Sequence, residues 1–126
     1  MSVIDTIEFF QVLYPEETEG HTYLWTLPDK RTQVFSCAAH ADTAQAAQKA
    51  SDTGKDVYFS VGVSERLFKA HERAKSADIV AIPGLWVDID IAGDGHAAKA
   101  LPPDYAAARA LLPEMLDPSM VVHSGY

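Results

Sequence analysis

Ile82-Pro83-Gly84-Leu85-Trp86-Val87-Asp88-Ile89-Asp90-Ile91-Ala92 reads as a buried β-strand carrying two carboxylates among large apolar residues, an environment from which carboxylates are normally excluded. Side chains on a strand alternate between faces, so Asp88 and Asp90 project from one face, ~7 Å apart by strand rise, while Val87, Ile89 and Ile91 enter the core opposite. Two anions placed this way repel unless a cation sits between them. Hard oxygen ligands at this spacing suit Mg²⁺ or Mn²⁺, ions that bridge the phosphates of a bound nucleotide. A D-x-D pair at a strand end, solvated or capping the following loop, is the competing reading; the apolar residues on both sides favour the metal. An EF-hand is excluded, because Ala92 fills the third ligand position and no Glu closes the loop.

Upstream of this stretch, Ser2-Val3-Ile4-Asp5 has the spacing of a capping box with Asp in place of Glu, and Val3, Ile7, Phe10 and Tyr14 recur at helical intervals until Pro15. His21 to Leu27 is rich in aromatic and β-branched residues and predicts a strand ending at Pro28. Thr32 to Ser36 predicts the returning strand of a hairpin. Asp42 is placed to cap an alanine-rich helix through about Ala50, with Gly54 at its stop. Asp56 to Gly62 predicts a third strand, on which either Tyr58 or Phe59 faces outward. Ser64 to Lys75 is a helix or a long loop, and the Pro83-Gly84 break leaves 78–91 as one bent strand or two.

Downstream, Ala92 to Pro102 is a connection of the kind found beside active sites, and its His96 reads as an exposed loop residue within reach of a phosphate. Pro103 suits the first position of a helix running through Tyr105 to Leu112. Pro118 to Tyr126 predicts a turn, a buried strand and the start of another turn, an ending that reads as a truncation. Strands alternating with helices, with hairpin pairs among them, predict an α+β or mixed α/β domain.

The 126 residues, 48% hydrophobic and 22% charged, suffice for one compact domain. No stretch approaches the ~18 apolar residues of a membrane span, and the N-terminus has no signal-peptide pattern, so a cytoplasmic location without membrane contact is expected. Cys37, the single cysteine, forms no internal disulfide and reads as a packed thiol. A net charge of −8 argues against tight binding of nucleic acid by the whole surface. The one basic stretch is Arg66, Lys69, His71, Arg73 and Lys75, diluted by Glu65 and Glu72; it is a solvated face or a set of phosphate contacts, with Arg73 and Lys75 the candidates.

Three segments taken in order resemble the archaeo-eukaryotic primase superfamily, and within it the primase-polymerase domains of phage and mobile-element replication proteins. They are Val57-Tyr58-Phe59-Ser60-Val61-Gly62, Leu85-Trp86-Val87-Asp88-Ile89-Asp90-Ile91 and Pro118-Ser119-Met120-Val121-Val122-His123-Ser124-Gly125. The resemblance covers nearly the whole chain in the order of its elements. It implies a catalytic core built from an N-terminal α/β module, about residues 1–80, and an RRM-like module of which about residues 81–126 form the first part. In that family the first motif is an apolar strand with two acidic metal ligands, matched here by Asp88 and Asp90. The second begins Ser-Gly, matched by Ser124 and Gly125, and reaches a His on the incoming nucleotide's phosphates. That His and the third motif's acidic ligand are expected beyond Tyr126. His123 precedes the Ser-Gly pair and is read as structural.

The activity implied is template-directed nucleotidyl transfer from nucleoside triphosphates in DNA replication, with Mg²⁺ or Mn²⁺ as cofactor, a single-stranded DNA template, and a helicase or other replication segments downstream. The 126-residue chain alone is expected to be inactive. In that setting the Ser124 hydroxyl and the Gly125 N–H suit phosphate oxygens, and Tyr58 or Phe59 suits a base or sugar. Two other classes stay open: a non-catalytic module that binds nucleotide or a replication partner, and a metal-dependent phosphoesterase using the same carboxylate pair.

Overall fold

A computed structural model describes residues 2–93 and 100–123. The chain divides into two compact units, Met1–Leu85 and Trp86–Tyr126. Among the described residues the fold is α+β, with three α-helices and one three-stranded antiparallel sheet.

In the first unit, α1 (Val3–Leu13) begins at the capping box expected from the sequence. The Asp5 N–H donates to the Ser2 hydroxyl, and the Asp5 carboxylate accepts from the Ser2 N–H at 2.8 Å. The Ser2 N–H foremost, and then the Ser2 hydroxyl, which also donates to this carboxylate, hold the Asp5 carboxyl below its ordinary value. The hairpin is also as expected: β1 (His21–Leu27) pairs with β2 (Arg31–Ser36), and β1 pairs on its other side with β3 (Asp56–Phe59), giving the order β2-β1-β3.

Helix α2 (His40–Asp52) corrects the expectation at Asp42. The helix starts three residues earlier than a cap at Asp42 requires, Ala39 stands at the N-cap without a side-chain bond, and Asp42 lies in the first turn. A carboxylate there still complements the helix dipole, and Thr43 ties the turn by donating to the Ala39 carbonyl. β3 is shorter than the expected 56–62. Ser60 N–H still reaches the Tyr23 carbonyl and Ser64 pairs with His21, so Val61 to Val63 form a bulge between two points of attachment. Gly62 is needed there, because a Cβ would lie 2.6 Å from Ile79. Residues 65–75 are loop rather than helix, lying along β2 where Thr32 N–H donates to the Ala70 carbonyl and the Thr32 hydroxyl to that of Glu72.

The core lies between the sheet and the two helices, formed by Phe10, Leu13, Tyr14, Leu24, Cys37, Ala44 and Val63, with Phe9 and Phe59 packed edge-on against it. Small residues on α2 bring that helix close, as the alanine-rich sequence implies. The buried face of β1 is Thr22-Leu24-Thr26. Its threonines are tolerated because each hydroxyl is bonded, Thr22 to Ser60 and Thr26 to Asp29. Tyr14, fully buried, donates its hydroxyl to the Ser60 carbonyl at 2.7 Å, and burial pushes its pKa up. Cys37 is buried as well, and burial raises its thiol pKa, the environment of an inert packed cysteine.

In the second unit, α3 (Tyr105–Arg109) is shorter than expected and is capped by Asp104, whose carboxylate accepts from the Ala107 N–H. Pro103 therefore precedes the cap instead of occupying the first turn. Arg109 pairs with Asp117, and the Tyr105 and His123 rings lie 4.9 Å apart. Neither predicted strand of this region forms a ladder: residues 84–91 and 119–122 have no strand pairing. The physical reason is the backbone accounting a buried strand must satisfy. Each needs a second strand for its N–H and C=O groups, and among the described residues no strand is paired with either. The expectation of a buried strand is thereby corrected: Leu85, Trp86 and Val87 are 87%, 50% and 66% exposed.

Candidate functional site

The carboxylates Asp88 and Asp90 lie in the second unit, both exposed, in chain that forms no ladder among the described residues. From Asp88 to Ile91 the burial alternates, exposed at the two aspartates and half-buried at Ile89 and Ile91. The period of two that suggested a strand is thus present in the accessibility even though the pairing is not. Two hard carboxylates suit a divalent ion that keeps other ligands on water and phosphate, the way Mg²⁺ is usually held. Among the described residues no group of three or more His, Cys, Asp or Glu side chains is gathered for a metal. Ser124 and Gly125, named as nucleotide contacts, lie outside the described residues, as do Asp94 and His96.

The remaining candidates, Tyr58, Arg73 and Lys75, belong to the first unit, and their surroundings follow from the pleat of the sheet. Register places Tyr58 opposite Trp25, and residues directly opposite share a face. Phe59 is the inward one, against Phe9 and Phe10, so the choice left open by alternation falls to Tyr58, which is 51% exposed. Tyr23 and Trp25 share this outer face of β1, away from the helices. Loop 65–75 supplies what lies over them. Phe68 packs on Tyr23 with ring centroids 5.4 Å apart, Arg66 lies 4.5 Å over Phe68, and the Arg73 guanidinium lies 5.2 Å from the Trp25 centroid.

The charges of this loop are unevenly committed. Arg66 donates to both Glu72 and Asp78, at 2.8 and 3.0 Å. Its guanidinium holds both carboxyls below their ordinary values, helped at Glu72 by the Lys69 N–H and at Asp78 by the Lys75 N–H. Lys75 thus serves locally through its backbone, capping the short 3₁₀ turn Ser76–Asp78. The Arg73 guanidinium lies beside Trp25 and near enough to Tyr23 to act on its hydroxyl.

The structure therefore gathers Tyr58 and Arg73 around one tryptophan, while Asp88 and Asp90 belong to the other unit. In the sequence Tyr23 and Trp25 serve only to mark a strand. The alternation His21, Tyr23, Trp25, Leu27 against Thr22, Leu24, Thr26 carried the signal. No family model, no curated protein and no solved structure matches the chain.

Proposed function

We propose that this chain supplies the acidic metal ligands of a primase-polymerase type nucleotidyltransferase, with Asp88 and Asp90 holding Mg²⁺ or Mn²⁺ beside a nucleoside triphosphate. The single observation behind this reading is the alternation of exposed carboxylates and half-buried isoleucines from Asp88 to Ile91, which leaves both carboxylates accessible to an ion. When bound, the ion would polarise the triphosphate and lower the barrier to attack of a 3′-hydroxyl on its α-phosphorus. The part assigned to this chain is narrower: two carboxylates fix the ion, and the apolar residues beside them are suited to a sheet's interior.

Two measurements test this. In the first, Mn²⁺ is titrated into the isotope-labelled protein. Paramagnetic broadening should centre on residues 86–91 and disappear in the D88N/D90N variant; broadening that spares those residues removes the metal assignment. In the second, Mn²⁺-dependent nucleotide incorporation on a primed single-stranded template is compared between the protein as naturally encoded and its D88A/D90A variant. Equal incorporation by the two refutes the role of the pair, and triphosphate hydrolysis without template dependence assigns the site to a phosphoesterase instead.

A further inference from the structure

Two features of this chain are chemically complementary and are left open in the same molecule. The first is the outer face of the β2-β1-β3 sheet, where Tyr58 lies directly opposite Trp25 on the adjacent strand and is 51% exposed. Residues placed this way have Cβ atoms about 4.5–5.5 Å apart, so the two rings form one aromatic patch. The charge around it is close to balanced. Lys69, Arg73 and Lys75 are exposed on loop 65–75, but Glu65 is exposed at the start of that loop, and the exposed Asp56 shares the face of Tyr58. Glu72 and Asp78 are engaged by Arg66. Such a surface matches an apolar ligand with one carboxylate, directed to the Arg73 guanidinium 5.2 Å from the Trp25 ring, better than it matches a polyanion.

The second feature is Leu101-Pro102-Pro103-Asp104-Tyr105. Each proline restricts the residue before it to extended or polyproline II backbone, and Asp104 is extended as well, at φ −153° and ψ 175°. The Ala92 N–H holds the Pro102 carbonyl and the Asp104 carboxylate caps α3, so much of the ordering cost of docking this segment is already met. Pro103, Asp104 and Tyr105 are nevertheless exposed. Prolines bring no N–H, so a Pro-Pro pair is unsuited to joining a sheet edge. Polyproline II ligands bind instead to surfaces lined by aromatic rings, where indole N–H and phenol O–H groups supply donors to the proline carbonyls.

We infer that the chain self-associates through these two features, the 101–105 segment of one copy docking on the Trp25 and Tyr58 face of a second, and reciprocally, with Asp104 toward Arg73. A second copy is the occupant because a single chain leaves both halves exposed, and a reciprocal exchange about a two-fold axis satisfies both and closes, whereas a one-way contact propagates. Neither half includes Asp88 or Asp90, so the inference does not depend on the metal reading.

The test has two arms. In the first, a synthetic peptide of residues 100–107 is titrated into the full chain carrying W86F, at a protein concentration below the dimer range, and Trp25 fluorescence is read. A saturable change is expected, absent for the peptide with both prolines replaced by Ala and weakened roughly tenfold or more by Y58A, the loss of one aromatic anchor. In the second, sedimentation velocity over a range of concentrations should show a reversible dimer for wild type and a monomer for Y58A and for P102A/P103A. Mixing those two variants should restore association, because one keeps an intact segment and the other an intact face. Both change side chains outside the core and should keep the wild-type circular dichroism spectrum. A wild-type chain that is monomeric throughout, or a peptide that leaves Trp25 unmoved, overturns the inference. A dimer that survives both variants also overturns it and assigns association to the exposed Leu85, Trp86 and Val87. A Trp25 signal altered by P102A/P103A at every concentration, without association, puts the segment on its own chain's face and overturns the second-copy assignment. D88N/D90N should leave the dimer intact, so failure here and failure of the metal reading are read separately.

Discussion

Replacing Tyr14 by Phe removes one oxygen from the centre of the first unit, and its effect can be worked out from the contacts that oxygen makes. Tyr14 is fully buried, its hydroxyl donates to the Ser60 carbonyl at 2.7 Å, and it accepts a longer bond from Thr22. The Thr22 hydroxyl keeps its 2.9 Å bond to the Ser60 hydroxyl, so little is lost there. Among the described residues the Ser60 carbonyl accepts from Tyr14 alone, and an orphaned buried acceptor costs about 1–3 kcal/mol. Y14F should therefore destabilise the unit by about 2 kcal/mol, equivalent to a fall in Tm of about 8–16 °C for a unit of this size.

The assay is urea unfolding followed by Trp25 fluorescence in a W86F background, which reads the first unit, with Tyr58→Phe as the control. That control removes a phenol hydroxyl from a half-exposed ring and should change stability by less than about 0.5 kcal/mol. A Y14F loss no larger than the control's, at an unchanged denaturant slope, would show that the Ser60 carbonyl finds another donor and that the threonine-lined sheet face is not held by this network.

Three further outcomes follow from the same geometry. Ser2→Ala removes the hydroxyl that accepts from the Asp5 N–H while leaving the Ser2 N–H on the Asp5 carboxylate, and should cost about 1 kcal/mol in thermal or chemical unfolding. Gly20→Ala should be more damaging than an ordinary loop substitution, because φ is +98° and the new Cβ would lie 2.6 Å from Val63; differential scanning calorimetry should show a lower Tm, whereas G54A, at φ +76° in open space, should lose less. For pH, Glu72 and Asp78 have carboxyls depressed in the folded state by Arg66. Their contribution is thus complete above the ordinary carboxylate range and is lost as pH falls through the lowered folded values. Thermal melts between pH 7 and pH 3 should therefore show a steeper acid loss for wild type than for R66Q, and parallel curves would remove the ion-pair triad as an anchor of loop 65–75.

The elements of the first unit were legible because each is specified locally. A capping box starts α1, a proline ends β1, and β1 and β2 follow each other closely enough to pair as a hairpin. What escaped the sequence is what depends on the partner. Asp42 looked like a cap because Asp is a good one, yet the start of α2 is set by the turn at Ala39, where Thr43 reaches back to the carbonyl. The aromatic residues of β1 marked only a strand, yet the helices cover the threonine face, where Leu24 joins the core and the hydroxyls of Thr22 and Thr26 are bonded. Alternation fixed which residues travel together but not which set faces the helices.

The same distinction bears on Asp88 and Asp90. Ile89 and Ile91 are more covered than Asp88 and Asp90 although no ladder forms, while Val87 is 66% exposed, so the period of two spans only Asp88 to Ile91. A ladder is a property of two chains, and residues 84–91 have no strand partner among the described residues. An apolar extended segment with Leu85, Trp86 and Val87 so exposed loses free energy to water that sheet formation would recover, at ~25 cal/mol per Å² of apolar surface removed. A ligand that draws the two carboxylates together favours the extended form in which they share a face. Cation binding and strand pairing at this segment are therefore coupled in sign: whichever occurs first lowers the cost of the other, and Mn²⁺ should protect the amides of residues 86–91 from hydrogen exchange only where a neighbouring strand is available to accept them.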